Sequence, residues 1–400
     1  MRTALRARTS GPWLASLFAA VVLSACSSGS NLGDLLPGGG SGGPPPGAQQ
    51  QPTAIGNGQV KVALILPLSA GGNAGVAAIS MRNASEMAIA EFNSPNIQLL
   101  VKDDAGTAQG AQTAAQQALD EGAEIILGPL FAHTVGVVGQ TARARNIPVI
   151  AFSTDANVAA RGVYLLSFLP ESDVDRIVQY ATSTGKRSFA ALIPDNAYGS
   201  VVEAALNQSI ARRGARVVTL QRYPADRAAQ ANAVRAVAQG ARGADAIILP
   251  DGAEGVRNIM PQLTAAGVDL KRLQILGTGL WDDPQIFSDP SVQGGFYAAP
   301  DSAGFRNFTG RYRGKYGQDP VRTATLAYDA VALIAALVKT QGPQRFSEET
   351  LTNASGFTGI DGLFRFRPDG SNQRGLSVLR VTTTGGQIVS PAPKSFGSGT

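Results

Sequence analysis

Short apolar runs alternate with helix-length spans along most of this 400-residue chain, and residues 123–154 display the unit most plainly. Two apolar stretches, 125–127 and 148–151, flank a span long enough for one helix. That is the pattern of a parallel βαβ unit whose strands are covered on both faces. Polar residues follow each stretch: Gly128-Pro129 with His133 and Thr134 at the expected helix start, then Ser153, Thr154 and Asp155 after Ala151. In open parallel sheets ligands bind outside the carboxyl ends of the strands, where a helix N-terminus offers free N–H groups to an anion. The unit therefore points to a pocket for a small acidic or zwitterionic molecule.

The alternation extends in both directions. An apolar strand at 62–66 leads through Pro67-Leu68-Ser69 to Gly71, Gly72 and Gly75. It is followed by a helix over 76–92, a strand over 97–101 ending in Lys102-Asp103-Asp104, and a helix over 108–120. After a strand at 163–168 the pattern restarts. Helices are expected over 172–184 (with Ser172 as N-cap), 201–213, 228–241 and 253–266. Strands are expected over 189–193, 216–220, 245–249 and 273–276. Strands alternating with helices of this length predict an α/β fold with parallel sheets, and the second set of units predicts a second lobe. Further on, 303–316 and 323–340 read as helices, and 362–366, Pro368-Asp369-Gly370 and 376–381 as one hairpin.

The chain opens on an address. Arg2, Arg6 and Arg8 form a basic region, 13–23 an apolar run of about half the ~20 residues needed to span a bilayer, and Leu23-Ser24-Ala25-Cys26 a small-residue cleavage site. This tetrapeptide looks like a bacterial lipobox, so 1–25 is expected to be a lipoprotein signal peptide and Cys26 the lipidated first residue. Residues 26–59, rich in Gly, Pro, Ser and Gln, read as a disordered linker with a reach of about 30 Å. Removing three arginines leaves 31 basic against 29 acidic residues, which gives no electrostatic case for nucleic acid. Cys26 is the single cysteine, so no disulfide is expected.

The order of these motifs resembles the type I periplasmic binding proteins, in particular the branched-chain amino-acid (leucine-binding) substrate-binding group of ABC importers. The resemblance covers about 60–390. It rests on the opening strand and its turn at Val62 to Ser69, Lys102-Asp103-Asp104 with Ala111-Gln112, Leu127-Gly128-Pro129 with Thr134, Ala151-Phe152-Ser153-Thr154, and Asp195-Asn196-Ala197-Tyr198-Gly199. It implies two Rossmann-like α/β lobes with parallel sheets, joined by three hinge crossovers near Leu169, Pro300 and Gly356. Lobe 1 would then hold 60–169 plus 301–355 and lobe 2 would hold 170–300 plus 356–390, with 391–400 a disordered tail. The ligand-binding set implied is Ser69, His133, Thr134, Ala151, Ser153, Thr154, Tyr198, Asp251 and Trp281. Amino-acid binders of this group place an acid where this chain has Gly279. A buried ammonium needs a partner, so either Asp251, Asp282 or another carboxylate substitutes, or the ligand is not a free amino acid. Trp281 reads equally as a stacking platform for a sugar or aromatic ring and as a core residue.

No cofactor or metal site and no catalytic residue is expected. The glycine-rich turn at 71–75 lacks a G-x-G-x-x-G or G-x-x-x-x-G-K-[ST] spacing, and His133 is the single histidine. The pairs Asp103-Asp104 and Asp282-Asp283 are explained by strand ends and N-caps. Two functions remain. The first is a periplasmic, lipid-anchored protein that captures an amino acid or related small polar solute for an inner-membrane ABC permease. The second is an outer-membrane lipoprotein that regulates a cell-wall synthase, as penicillin-binding protein activators do with a similar domain. Ser27 after the cysteine is similar to an outer-membrane sorting signal.

Overall fold

The computed structural model of the chain describes residues 53–93 and 95–396; the leader, Cys26, Ser27 and most of the expected linker lie outside the described residues. The first sheet is built from β1 (Ala54–Ile55), β2 (Val60–Leu66), β3 (Ile97–Asp103), β4 (Ile125–Leu127), β5 (Val149–Ala151) and β6 (Val163–Leu165). Its order is β1-β3-β2-β4-β5-β6, parallel throughout except for β1, which runs antiparallel to β3. The two-residue period of β2 explains its burial on both faces. Val62, Leu64 and Leu66 enter one core with α1 (Gly72–Glu91), while Ala63 and Ile65 enter another with α2 (Ala108–Asp120) and α3 (Ala132–Arg143).

The second sheet follows α4 (Pro170–Ser183). It contains β7 (Ser188–Pro194), β8 (Arg216–Tyr223), β9 (Ala246–Ile248), β10 (Gln274–Gly277) and β11 (Phe296–Ala299), alternating with α5 (Ala197–Arg212), α6 (Arg227–Ala241), α7 (Ala253–Ala265) and the short α8 (Pro284–Phe287). The five strands are parallel. The chain then returns to the first sheet: α9 (Ser302–Tyr316) packs beside α1, and α10 (Ala324–Thr340) adds Leu326, Ala330, Val331 and Ile334 to the core of β2. A single turn, α11 (Glu348–Leu351), precedes β12 (Phe357–Gly359), β13 (Gly362–Phe366), β14 (Asn372–Arg374), β15 (Ser377–Thr382) and β16 (Gly385–Ser390). The α/β class and the two parallel-dominated sheets agree with the sequence reading.

Several boundaries differ from it. Residues 53–59, expected in the linker, carry β1, which pairs Ala54 with Leu100, and the Thr53 carbonyl accepts from Val101 N–H at 2.8 Å. The unmet edge of β3 recruits them despite their composition. The hairpin expected between 362–366 and 376–381 is absent. The turn at Pro368-Asp369-Gly370 instead joins β13 to β14 in a three-stranded sheet with β12. Phe364 and Phe366 of that sheet belong to the core of β2, so 357–366 packs with the first sheet rather than the second. The chain passes to the second sheet at Gly375-Leu376, beyond the expected Gly356, and β15 and β16 extend β11 antiparallel. The tail is ordered as far as Phe396, whose buried ring lies under Arg365 at 4.7 Å. Residues 397–400 lie outside the described residues.

Where the passages converge, charge is buried. Asp361 is 1% exposed and takes both forks of Arg322 (2.6 and 2.9 Å) and the Thr325 hydroxyl (2.6 Å). The Arg322 and Arg374 guanidinium groups both stack on Phe168, at 4.5 and 4.6 Å. Asp329, 3% exposed, accepts Ile360 N–H at 2.8 Å through one oxygen, and its other oxygen has no partner. Burial, with the Asp361 charge adding to it, pushes the Asp329 carboxyl up to about 7. Because the folded state then holds this proton more tightly than the unfolded chain, Asp329 contributes stability that is present below pH 3.8 and is lost as pH rises through about 7. Asp329→Asn keeps the acceptor for Ile360. It is expected to come within about 1 kcal/mol of the parent chain in urea at pH 4.5 and to exceed it at pH 8.5 by on the order of 2–4 kcal/mol. Equal curves at both pH values would overturn this account.

Candidate functional site

Both parallel sheets end in turns that carry the polar residues singled out above. At the edge of the first sheet, Ser69 is exposed in the turn after β2 and its N–H donates to Asp103 Oδ1 at 3.2 Å. The Asp103 carboxylate also takes Ala105 N–H at 2.8 Å. Burial works against its charge, but these hydrogen bonds together hold its pKa below the usual value. Asp104 is fully buried and accepts Gly106 N–H at 2.8 Å; burial pushes its pKa up. This acid pair braces a turn and is not arranged for acid–base work.

Gly128 must be glycine. Its φ is +93°, and a Cβ would lie 2.1 Å from the Ile65 carbonyl oxygen of the neighbouring strand. The turn it permits leads into α3. Thr134 is buried there with its hydroxyl donating to the Phe131 carbonyl at 2.9 Å. His133 is exposed, with Nε2 2.9 Å from the Gly106 carbonyl and its ring stacked on Phe131 at 5.8 Å. After β5, Ala151 and Ser153 are buried. The Ala151 carbonyl accepts Leu166 N–H at 2.8 Å, and the Ser153 hydroxyl accepts Asp155 N–H at 3.1 Å. Thr154 is exposed. The β4–β5 pairing and the 3.0 Å bond from Phe152 N–H to the Pro129 carbonyl set these two turns side by side.

At the edge of the second sheet, the run Asp195 to Gly199 is a helix start, not a free turn. Asn196 caps α5 by accepting Gly199 N–H at 2.8 Å, which sets Tyr198 in the first turn. Asn196→Ala is expected to cost about 1 kcal/mol in urea denaturation, with no change in the far-ultraviolet spectrum. The Tyr198 hydroxyl and Thr278 Oγ1 are 2.8 Å apart. Burial raises the Tyr198 pKa above its ordinary value, the Thr278 hydrogen bond opposes, and the charges of Asp173 and Asp251 add. Asp251 accepts the Tyr223 hydroxyl and Gly252 N–H, so both of its oxygens are engaged.

Trp281 does not line this edge. It is fully buried, it belongs to the core with Tyr297 and Ile286, and its ring covers Gly277 so closely that a Cβ there would lie 2.1 Å from it. The two readings of Trp281 thus resolve as core. Asp282 is exposed and accepts the Tyr297 hydroxyl at 3.1 Å.

The residue that sequence reasoning missed is Asp173. Helix α4 begins at Pro170 instead of Ser172, since proline at the first helical position loses no needed N–H. Asp173 therefore projects from the first turn, and its Oδ2 accepts Gly279 N–H at 3.0 Å. A Cβ on Gly279 would lie 2.8 Å from that oxygen, so the Asp173 carboxylate fills the space where a side chain at 279 would begin. A proline followed three residues later by an acid was the signal available. Thr278 was also missed, for want of any pattern around it.

No group of His, Cys, Asp and Glu among the described residues is placed to hold a metal ion, and no described helix is long and apolar enough to cross a membrane.

Comparison with known proteins bears on this arrangement. A family model described as periplasmic binding protein matches residues 59–387. No curated protein matches the chain. Among solved structures, a Rhodospirillum rubrum protein with the provisional description of a branched-chain amino acid ABC transporter is similar, with a TM-score of 0.73, 20% identity, and 82% of this chain and 99% of that one covered. A branched chain amino acid ABC transporter periplasmic ligand-binding protein from Burkholderia xenovorans has a TM-score of 0.65 at 21% identity, covering 85% and 97%. A solute binding protein of an ABC transporter from Rhodopseudomonas palustris, in complex with 3,4-dihydroxy benzoic acid, has a TM-score of 0.58 at 19% identity, covering 84% and 98%.

Proposed function

The chain belongs to the periplasmic binding protein family, and from that premise we propose that it is an extracytoplasmic solute receptor that delivers an amino acid or related small polar solute to an ABC importer. The observation that carries the reading is the presence of a polar strand-end set on each of the two sheets. One set holds exposed Ser69 and Thr154, with Ser153 buried between β5 and Thr154, after β2 and β5. The other presents Tyr198, Thr278 and Asp173 after β7 and beside β10. Hydroxyl groups on one edge suit a carboxylate, and an acid on the other suits a cation. The receptor holds its solute without making or breaking a covalent bond. In the same reading Cys26 carries the lipid that tethers the protein to a membrane facing the periplasm, with 26–52 as the linker, and the permease is the partner.

A second reading is favoured by one observation: Tyr198 and Thr278 already satisfy one another, as they would in a cleft that no longer takes solute. In that case the fold serves as a lipid-anchored scaffold for a cell-wall synthase, and Ser27 directs it to the outer membrane. A thermal-shift screen of the whole chain against amino acids, aromatic acids, sugars and wall fragments separates the two. A solute at 100 times its dissociation constant adds about 2.7 kcal/mol, a rise of several degrees. A screen without a hit overturns the receptor and leaves the scaffold.

A further inference from the structure

This inference stands apart from the receptor reading. A cavity of about 540 Å³ lies between α4, α5 and the segment 367–376, with Pro391, Pro393 and Phe396 completing its lining. That is room for a small organic ligand. On α4 it is lined by Glu171, Ser172, Asp175, Arg176 and Gln179. At 3.6 residues per turn these share one face of the helix, and Asp173, which meets Gly279, lies outside that face. None of Ser69, Ser153, Thr154, Tyr198 and Thr278 lines the cavity, so it is separate from the strand-end turns.

Much of the charge on its walls is engaged within the chain. Asp175 accepts from Ser209 at 2.8 Å, Arg212 at 2.7 Å and Arg213 at 2.9 Å, and Arg176 donates to the Leu376 carbonyl at 2.8 Å and Ser390 Oγ at 2.7 Å. Arg374 is different. It is 5% exposed, its Nε donates to the Ser167 carbonyl at 2.8 Å, and its Nη1 and Nη2 have no hydrogen-bond partner among the described residues. The acids whose charge reaches it, Asp361, Asp329 and Asp173, make their hydrogen bonds elsewhere. Two acceptors on the walls are also without a partner there: Oδ1 of Asn372, a residue 2% exposed, and Oε2 of the half-buried Glu171. The cavities lined by 341–354 and by 139–164 with 346–348 have no such atom in their walls. Buried polar groups are nearly always bonded, so donors and acceptors left over on one cavity point to a ligand that meets both.

We propose that this cavity is a ligand site for a small oxyanion that also carries a hydroxyl, a hydrogen phosphate or a hydroxycarboxylate. The Arg374 fork takes two oxygens of the anion, and the exposed Arg367 adds a second guanidinium. The hydroxyl of the ligand donates to Glu171 Oε2 or Asn372 Oδ1. An anion without a hydroxyl has nothing to donate and sets its charge against the Glu171 carboxylate, so it is a poor ligand.

The test is calorimetry on the whole chain at pH 7 with inorganic phosphate and malate as probes, and sulfate and succinate as their hydroxyl-free counterparts. Phosphate or malate is expected to bind at least about tenfold more tightly than its counterpart, and which of the two binds identifies the source of the oxyanion. Arg374→Lys, which keeps the charge and loses the fork, weakens that binding at least about tenfold. Arg367→Ala, at an exposed position where folding is not at stake, weakens it by about threefold or more. Glu171→Gln, which can donate as well as accept, brings the counterpart to within a few fold. Binding of none of the four probes, equal binding within both pairs, or binding unchanged in Arg367→Ala and Arg374→Lys overturns the proposal. Loss of binding in Tyr198→Ala with none in Arg367→Ala puts the anion at the strand-end turns and overturns it likewise.

Discussion

Arg322→Ala is expected to lower the stability of the folded chain by about 3–5 kcal/mol, because it strips the cation from a carboxylate that has no access to water. Asp361 is 1% exposed and depends on both forks of Arg322 and on Thr325. The same substitution removes a planar group from the faces of Phe168 and Phe305, at 4.5 and 4.6 Å. Desolvation governs the sign: a buried pair has little net value, but half of one is costly. Arg322→Ala combined with Asp361→Asn is therefore expected to recover more than half of the loss. Urea denaturation reads both, and a loss below 1 kcal/mol for the single variant would show that Asp361 finds water or another donor.

Gly277→Ala is expected to be nearly as damaging for a different reason. The added methyl would sit 2.1 Å from Cδ2 and 2.3 Å from Cε2 of Trp281, inside the indole ring. The ring has no room to retreat, since it is fully buried in the core of the second sheet and lies so close to Gly295 that a Cβ there would sit 3.0 Å from its Cζ3. Either β10 shifts or the indole leaves, and losing a buried tryptophan costs about 3–5 kcal/mol. In a Trp13→Phe background Trp281 is the single tryptophan, so its emission reports the outcome. A red shift at low denaturant, with a reduced unfolding midpoint, is the expected result. Unchanged emission and midpoint would mean that the sheet absorbs the methyl.

The fold was legible in the sequence because its strands are buried on both faces and read as unbroken apolar runs, as β2, β7 and β9 do. The turns were legible where glycine, proline and small polar residues cluster, as at Gly128-Pro129. Contacts between distant segments left no such mark. β1 is recruited by the open edge of β3, which residues 53–59 do not advertise. Trp281 looked alike as platform or core because the deciding neighbour is a glycine four positions earlier. Asp173 was hidden by a two-residue error in a helix start. A residue index counts along the chain, but the meeting of Asp173 with Gly279 spans 106 positions.

The strand that leaves β14 and becomes β15 has a bearing on assembly in time. Arg374 and Asn372 are bonded to the Ser167 and Leu165 carbonyls on one side of Gly375-Leu376, and Val378 and Leu379 pair with β11 on the other. Neither half of the molecule is complete until the last tenth of the polypeptide arrives. A chain delivered from its N-terminus must wait with both cores open, and its closing contacts join segments about 80 residues apart on one side and about 200 on the other, which makes for slow folding. The final residues work as a keystone set after both arches are standing.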